Sequence, residues 1–204
     1  MRLFLFDVDS TLINEEVIEL IAAHAGVEKE VAQITERAMA GELDFAASLR
    51  ERVSLLSGIS SDALLQVGKR VTLTNGAAEL IASIHDAGDV AAVVSGGFFE
   101  VITPIMKQLG INDYLANTLE VSNGLLTGKV SGKIVDREAK AAFLSELRIK
   151  YAPTQTIAVG DGANDIEMIK AADIGIAFCA KPALQAVADV VITNRDLREV
   201  LARL

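Results

Sequence analysis

The chain is poor in several residue types, and each shortage excludes something. Among its 204 residues there is one cysteine, Cys179. No intrachain disulfide can form, which fits a reducing compartment and predicts a cytoplasmic protein. In Ala-Phe-Cys-Ala the residue reads as a small buried hydrophobe rather than a nucleophile. Only two histidines occur, His24 and His85. Both fall in helical patterns far apart and read as structural. No apolar run reaches the roughly 20 residues that a bilayer requires. The apolar start runs straight into Asp7 with no basic segment before it, so it reads as a core strand and not a signal peptide. Positive charge is in deficit, with 19 Lys and Arg against 28 Asp and Glu and a net charge of -9. That balance argues against non-specific nucleic-acid binding. An anionic ligand would need a local cation or a metal.

What is present begins at Leu3-Phe4-Leu5-Phe6, a short apolar run suited to a strand buried on both faces. It ends in Asp7-Val8-Asp9-Ser10-Thr11. From there to residue 72 the apolar spacing is helical. Val17, Leu20 and Ile21 mark a first helix with Gly26 as its stop. Val31, Ile34 and Ala38 mark a second, ended by Gly41. Phe45, Leu49, Val53 and Leu56 mark a third, stopped near Gly58. A fourth is capped by Ser60 or Ser61. Strands and helices then alternate. Strands are expected at Val90 to Val94, at Thr156 to Val159, at Ile174 to Phe178 and at Val190 to Thr193. A hairpin within 114–131 should turn at Asn123-Gly124. Asp136 should cap a helix running to about Lys150. The pattern predicts an α/β fold: a doubly wound, mainly parallel, Rossmann-like sheet interrupted by an all-helical insertion that reads as a cap domain. The core would comprise residues 1–13 and 73–204, and the cap residues 14–72.

Three strands end in polar or glycine-rich loops: Asp7-Val8-Asp9, Ser95-Gly96-Gly97 and Gly160-Asp161-Gly162-Ala163-Asn164-Asp165. In a parallel sheet all three open on one edge, where such folds bind ligands. Asp7, Asp9, Asp161 and Asp165 would converge there, a donor set suited to a hard cation such as Mg²⁺. Ser95 with the amides of Gly96 and Gly97 would form a phosphate cradle. Taken singly, each loop is also an ordinary tight turn or Asx-rich helix start. Their joint occurrence, each after a strand, favours a functional site.

These loops, together with Lys140, resemble the four motifs of the haloacid dehalogenase superfamily, and the helical insertion is similar to that superfamily's small cap. A finer resemblance, to the members that act on phosphoserine, covers essentially the whole chain. It rests on Glu16, on Phe45-Ala46-Ala47-Ser48-Leu49-Arg50-Glu51-Arg52-Val53, on Val93-Val94-Ser95-Gly96-Gly97-Phe98 and on Ala177-Phe178-Cys179-Ala180-Lys181-Pro182. Val8 replaces the Phe often found between the two acids. The regulatory domain of some relatives is not expected.

The resemblance implies a Mg²⁺-dependent hydrolase that converts O-phospho-L-serine to L-serine and phosphate, the last step of serine synthesis. It implies Asp7 as nucleophile and Asp9 as acid and base. Metal would be held by Asp7, Asp161 and the Asp9 carbonyl, with Asp165 nearby. Ser95, Gly96, Gly97, Lys140 and Asn164 would hold the phosphoryl group. Lys129, Lys133 and Lys150 compete with Lys140 until the motif selects it. Glu16 would meet the substrate ammonium and Arg52 its carboxylate, with Arg50 as a second contributor, while Met39 and Phe45 exclude water. Phosphoryl transfer to an alcohol such as homoserine, a broader small-molecule phosphatase and a non-catalytic phosphate sensor are the alternatives. No nucleic-acid or membrane partner is expected, and the chain would be a monomer or homodimer.

Overall fold

The computed structural model describes residues 1–39 and 42–204, with the side chain of Met39 also outside the described set. The expected roles of Met39 in the site and of Gly41 as a helix stop therefore lie outside the described residues.

Strand β1 (Arg2–Phe6) is the central strand. Its side chains alternate between two apolar layers, Phe4 and Phe6 on one face and Leu3 and Leu5 on the other. All four are fully buried, as a strand covered by helices on both faces requires. Beside it lie β2 (Val90–Phe98) on one side and β5 (Gln155–Gly160) on the other, both parallel. Strands β3 (Asp113–Ser122), β4 (Leu125–Ser131), β6 (Ile174–Phe178) and β7 (Val190–Ile192) complete a seven-stranded sheet in the order β4-β3-β2-β1-β5-β6-β7. Only β4 is antiparallel to its neighbour. The chain fills one side of β1 and then returns to the other. This reversal of strand order opens a crevice at the strands' C-terminal edge.

Five α-helices separate β1 from β2 among the described residues, and the first four form the helical insertion: α1 (Val17–Ala25), α2 (Glu28–Met39), α3 (Phe45–Ser54) and α4 (Ser61–Gly68). Gly26 ends α1 in a left-handed conformation, and the Ser60 hydroxyl caps α4 by accepting from the Asp62 amide. Helices α5 (Ala77–Asp86) and α6 (Phe99–Leu109) come next, then α7 (Arg137–Tyr151), α8 (Ile166–Ala171), α9 (Pro182–Gln185) and α10 (Glu199–Ala202). Ile18, Leu49 and Val53 of the helical insertion join the same apolar layer as Phe4 and Phe6. Residues of α7 and α8 (Leu144, Leu147, Met168, Ile169) pack in the opposite layer with Leu3 and Leu5.

The insertion leaves and re-enters the sheet domain through two adjacent crossings. Ile13 and Leu73 form an antiparallel bridge. The Thr74 amide donates to the Leu12 carbonyl at 2.9 Å, and the Asn14 amide to Thr72 at 3.0 Å. A third attachment is the β3–β4 hairpin. Its turn at Asn123-Gly124 has both residues at positive φ, as a two-residue hairpin turn demands. The Gly58 amide bonds the Leu126 carbonyl at 2.9 Å, and the Ser61 amide bonds that of Gly124 at 2.9 Å.

The structure differs from the sequence reading in two places. Ser95-Gly96-Gly97 was expected in a loop, yet extended backbone continues through these residues to Phe98 before α6 begins. Cys179 is only half-buried and adopts φ +46°, where full burial was expected.

Candidate active site

Asp7 follows β1 directly, and its amide donates to the Val159 carbonyl of β5 at 2.9 Å. The chain then winds through a single wide turn, Val8–Leu12, with Ser10 at φ +56°. This turn sends Asp9 to a different part of the site from Asp7. The oxygens of Asp7, Asp161 and Asp165 gather within 4.8 Å of one another. The Asp9 carboxylate stands apart from that cluster. Its Oδ2 accepts from the Val17 amide at 3.3 Å, and its buried Oδ1 has no hydrogen-bond partner. Gly97 lies against it, since a methyl group there would sit 3.2 Å from Oδ1 and 3.0 Å from the Ser95 hydroxyl. Any side chain there would press both groups apart by a few tenths of an ångström.

Lys140 comes from α7, which Asp136 starts by accepting from the Ala139 amide. Its ammonium is wholly buried and donates to Asp7 Oδ1 and Asp165 Oδ1, each at 2.6 Å. Asp165 Oδ2 accepts from the amides of Asp161 and Gly162. Burial works against the charge of Lys140, but Asp165 and Asp7 outweigh it and raise its pKa above the ordinary lysine value. The acids respond oppositely. Burial, then the charge of Asp165, lifts Asp7 well above the usual carboxylate range, and the same two causes push Asp161 up to about 7. Burial, then Glu16, raises Asp9.

The cluster carries three carboxylates against one ammonium. Fully ionised, it has a surplus of two negative charges in a buried place, a cost that protons or a divalent cation would offset. The donors are all oxygens from carboxylates or backbone, the chemistry of a hard cation. A magnesium ion thus fits the residues present.

Asp7, Asp9, Asp161, Asn164, Gly96 and Gly97 line a cavity of about 280 Å³, together with Glu16, Phe45, Arg52 and Lys181 from around its mouth. Glu16 accepts from the Ser10 hydroxyl at 2.6 Å. Burial raises the Glu16 carboxyl, and burial lowers Arg52 against the pull of Glu16, Glu19 and Asp9. The ring of Phe45 would lie 3.2 Å from a methyl group at Gly96. Arg50 is exposed and does not line the cavity. Ser95 is fully buried behind the lining, with its hydroxyl accepting from the Gly97 amide at 2.8 Å. A larger hollow of about 610 Å³ shares Glu16 with the cavity but contains none of Asp7, Asp161 or Arg52.

The sequence reading missed Asn117 of β3. It is buried, donates to the Gly96 carbonyl at 2.8 Å and accepts from the Val135 amide at 2.9 Å. It thereby ties the Gly96-Gly97 segment to the chain that leads into α7 and Lys140. An amide inside Leu115-Ala116-Asn117-Thr118-Leu119 was a visible oddity for a buried strand. Nothing local pointed to its partners.

The parallel sheet and the carboxylates at its edge define a hydrolase of a known kind. The haloacid dehalogenase-like hydrolase family matches residues 4–170, and the chain belongs to that family. Within it, the chain is 49% identical to the phosphoserine phosphatase of Streptococcus thermophilus, over 98% of this chain and 94% of that one. A solved phospho-aspartyl intermediate analogue of phosphoserine phosphatase superposes with a TM-score of 0.92 at 48% identity, covering 99% of this chain and 98% of that one. A substrate-bound phosphoserine phosphatase gives 0.93 at 47% identity, covering 99% and 97%.

Proposed function

We infer that the chain is a phosphoserine phosphatase: it hydrolyses O-phospho-L-serine to L-serine and phosphate through a phosphorylated Asp7. The observation that carries the mechanism is the division of the two acids of the first loop. Asp7 is held by Lys140 in a cluster of carboxylates, while Asp9 faces Gly97 with one oxygen unpaired.

An Asp7 oxygen attacks phosphorus, and the bond to the serine oxygen breaks. Asp9 gives its proton to that departing oxygen. Its raised pKa, caused first by burial and then by Glu16, suits a group that must arrive protonated. Asp9 then takes a proton from water as the water attacks the aspartyl-phosphate, and the bond from phosphorus to Asp7 breaks. Lys140 orients Asp7 and keeps a fixed positive charge beside the transferring group. The Gly96 and Gly97 segment and Asn164 receive the phosphoryl oxygens, with Ser95 bracing Gly97 from behind. Asp7, Asp161 and the Asp9 carbonyl, braced by Asp165, are the residues to hold magnesium, which would supply positive charge against the repulsion between Asp7 and a phosphate dianion.

Residues 14–72 act as the cap and residues 1–13 with 73–204 as the core. The bridge between Ile13 and Leu73 supports that division. Glu16 and Arg52 read the ammonium and carboxylate of the amino acid, and Phe45 closes over Gly96. No helix among the described residues is long and apolar enough to cross a membrane. With the single cysteine, this supports a cytoplasmic enzyme. Phosphate release from L-phosphoserine, D-phosphoserine, phosphothreonine, a sugar phosphate and a nucleotide, with Mg²⁺ and with chelator, tests the reading. Strong Mg²⁺-dependent preference for L-phosphoserine is expected. Equal activity across the panel would remove the roles of Glu16 and Arg52.

A further inference from the structure

Lys181 stands at the mouth of the catalytic cavity and takes no part in the mechanism above. It follows β6 and is the last residue before α9, whose first position is Pro182. Its amide donates to the Asp161 carbonyl at 2.9 Å, so its backbone is fixed to the same loop that carries the metal-site acids. Its side chain is exposed and lines the cavity. Lys140 has two carboxylate partners. By contrast, the Lys181 ammonium has no hydrogen-bond or ion-pair partner among the described residues.

The charge around it makes this informative. Four acids line the cavity, Asp7, Asp9, Glu16 and Asp161, against two cations, Arg52 and Lys181. Arg52 faces Glu16, Glu19 and Asp9 and donates to the Ser48 carbonyl. It belongs to the amino-acid end. Lys181 acts instead on Asp161, lowering its pKa against burial. It belongs to the phosphoryl end. A phosphate dianion entering a cavity lined with acids meets repulsion before it reaches any buried countercharge. A free ammonium at the entrance offsets that repulsion and concentrates anions there.

We propose that Lys181 is a recruiting residue that draws the phosphoryl end of the substrate into the cavity and holds inorganic phosphate there before release. This rests on the phosphomonoesterase reading and adds a residue to it. The effect should be modest, because the side chain is exposed and screened by salt. It should appear in KM and in the salt dependence of kcat/KM rather than in kcat.

The experiment compares the holoenzyme with Lys181→Gln and Lys181→Arg on L-phosphoserine and on p-nitrophenyl phosphate, at low and high salt, with inorganic phosphate as inhibitor. Lys181→Gln should lower kcat/KM about two- to fivefold on both substrates at low salt. It should weaken phosphate inhibition by a similar factor and flatten the salt dependence. Lys181→Arg should restore all three. Unchanged salt dependence and unchanged phosphate inhibition in Lys181→Gln would overturn the proposal. So would a loss confined to phosphoserine, which would assign Lys181 to the amino-acid end. A wild-type enzyme active on p-nitrophenyl phosphate but not on phosphoserine would instead overturn the substrate assignment, and the p-nitrophenyl phosphate and phosphate measurements would still decide Lys181.

Discussion

The ammonium of Lys140 lies 2.6 Å from Oδ1 of Asp165, and both side chains are completely shut off from solvent. Removing one partner of such a pair leaves an uncompensated buried charge. Lys140→Met should cost about 3–5 kcal/mol of stability in chelator. Added Mg²⁺ should recover part of that loss, because the cation compensates the same carboxylates. Denaturant unfolding with and without Mg²⁺ measures both numbers. Turnover should fall by at least about 10²-fold.

Asp7→Asn removes the proposed nucleophile and one charge from the crowded cluster. Turnover should drop by at least about 10³-fold. The metal-free protein should nevertheless melt no lower than wild type, because the charge removed is one that burial and Asp165 disfavour. Retained activity would overturn the mechanism. A large fall in Tm would overturn the electrostatic argument.

The pH dependence of metal stabilisation follows from Asp161. Its pKa is about 7 in the metal-free fold against 3.8 ordinarily. Between these values the folded state binds more protons than the unfolded one, so this group makes stability fall as pH rises through that window. A bound cation removes that cost by favouring the carboxylate. The Tm increase on adding Mg²⁺ should therefore be larger at pH 8 than at pH 5, as thermal melts at the two values would reveal. An equal increase at both would mean that Asp161 does not hold the ion.

Arg52 and Glu16 should separate recognition from chemistry. Arg52→Ala should lower kcat/KM for L-phosphoserine by roughly 30-fold or more, as expected for truncating one partner of a buried charge pair. The same variant should barely alter hydrolysis of p-nitrophenyl phosphate, which has neither an ammonium nor a carboxylate. Equal losses on both substrates would make Arg52 a structural residue.

Gly160→Ala should be among the most damaging small substitutions. A methyl group there would come within 2.6 Å of the Asp165 carboxyl. The backbone of β5 cannot retreat, since it pairs with β1 and β6. Asp165 must then move off Lys140, and both Tm and turnover should fall. Normal activity would mean that Asp165 can shift without consequence.

Much of this fold could be read in advance because its signals are local. Gly26 and Asn123-Gly124 need left-handed backbone, and Ser60 and Asp136 are helix caps. The mainly parallel sheet followed from the alternation of apolar runs with helical spacing. The parts that escaped depend on distant partners. Ser95-Gly96-Gly97 looks like a turn, but it spans an irregularity in the β2–β3 ladder, held extended by pairing at Val94 and Phe98 on either side and by the Asn117 amide on the Gly96 carbonyl. Lys140 was singled out only by the motif resemblance; its full burial was not legible, because it arises where β1 and the Gly160 to Asp165 segment meet a helix that carries another lysine. The left-handed Ser10, whose hydroxyl meets Glu16, gave no sign either, because a serine in that conformation depends on the loop around it. Arg195 likewise reaches the Ser10 carbonyl from the far end of the chain.

The attachment of the helical insertion to the hairpin has one further consequence. Its bonds, Gly58 to Leu126 and Ser61 to Gly124, join main chain to main chain. Apart from Gly58 and Gly124, whose left-handed backbone favours glycine, side-chain substitution leaves such bonds in place, so the attachment can stay constant while the amino acids around it drift. Glu16, Phe45 and Arg52, which line the cavity, can thus vary without disturbing the attachment between the helices and the hairpin.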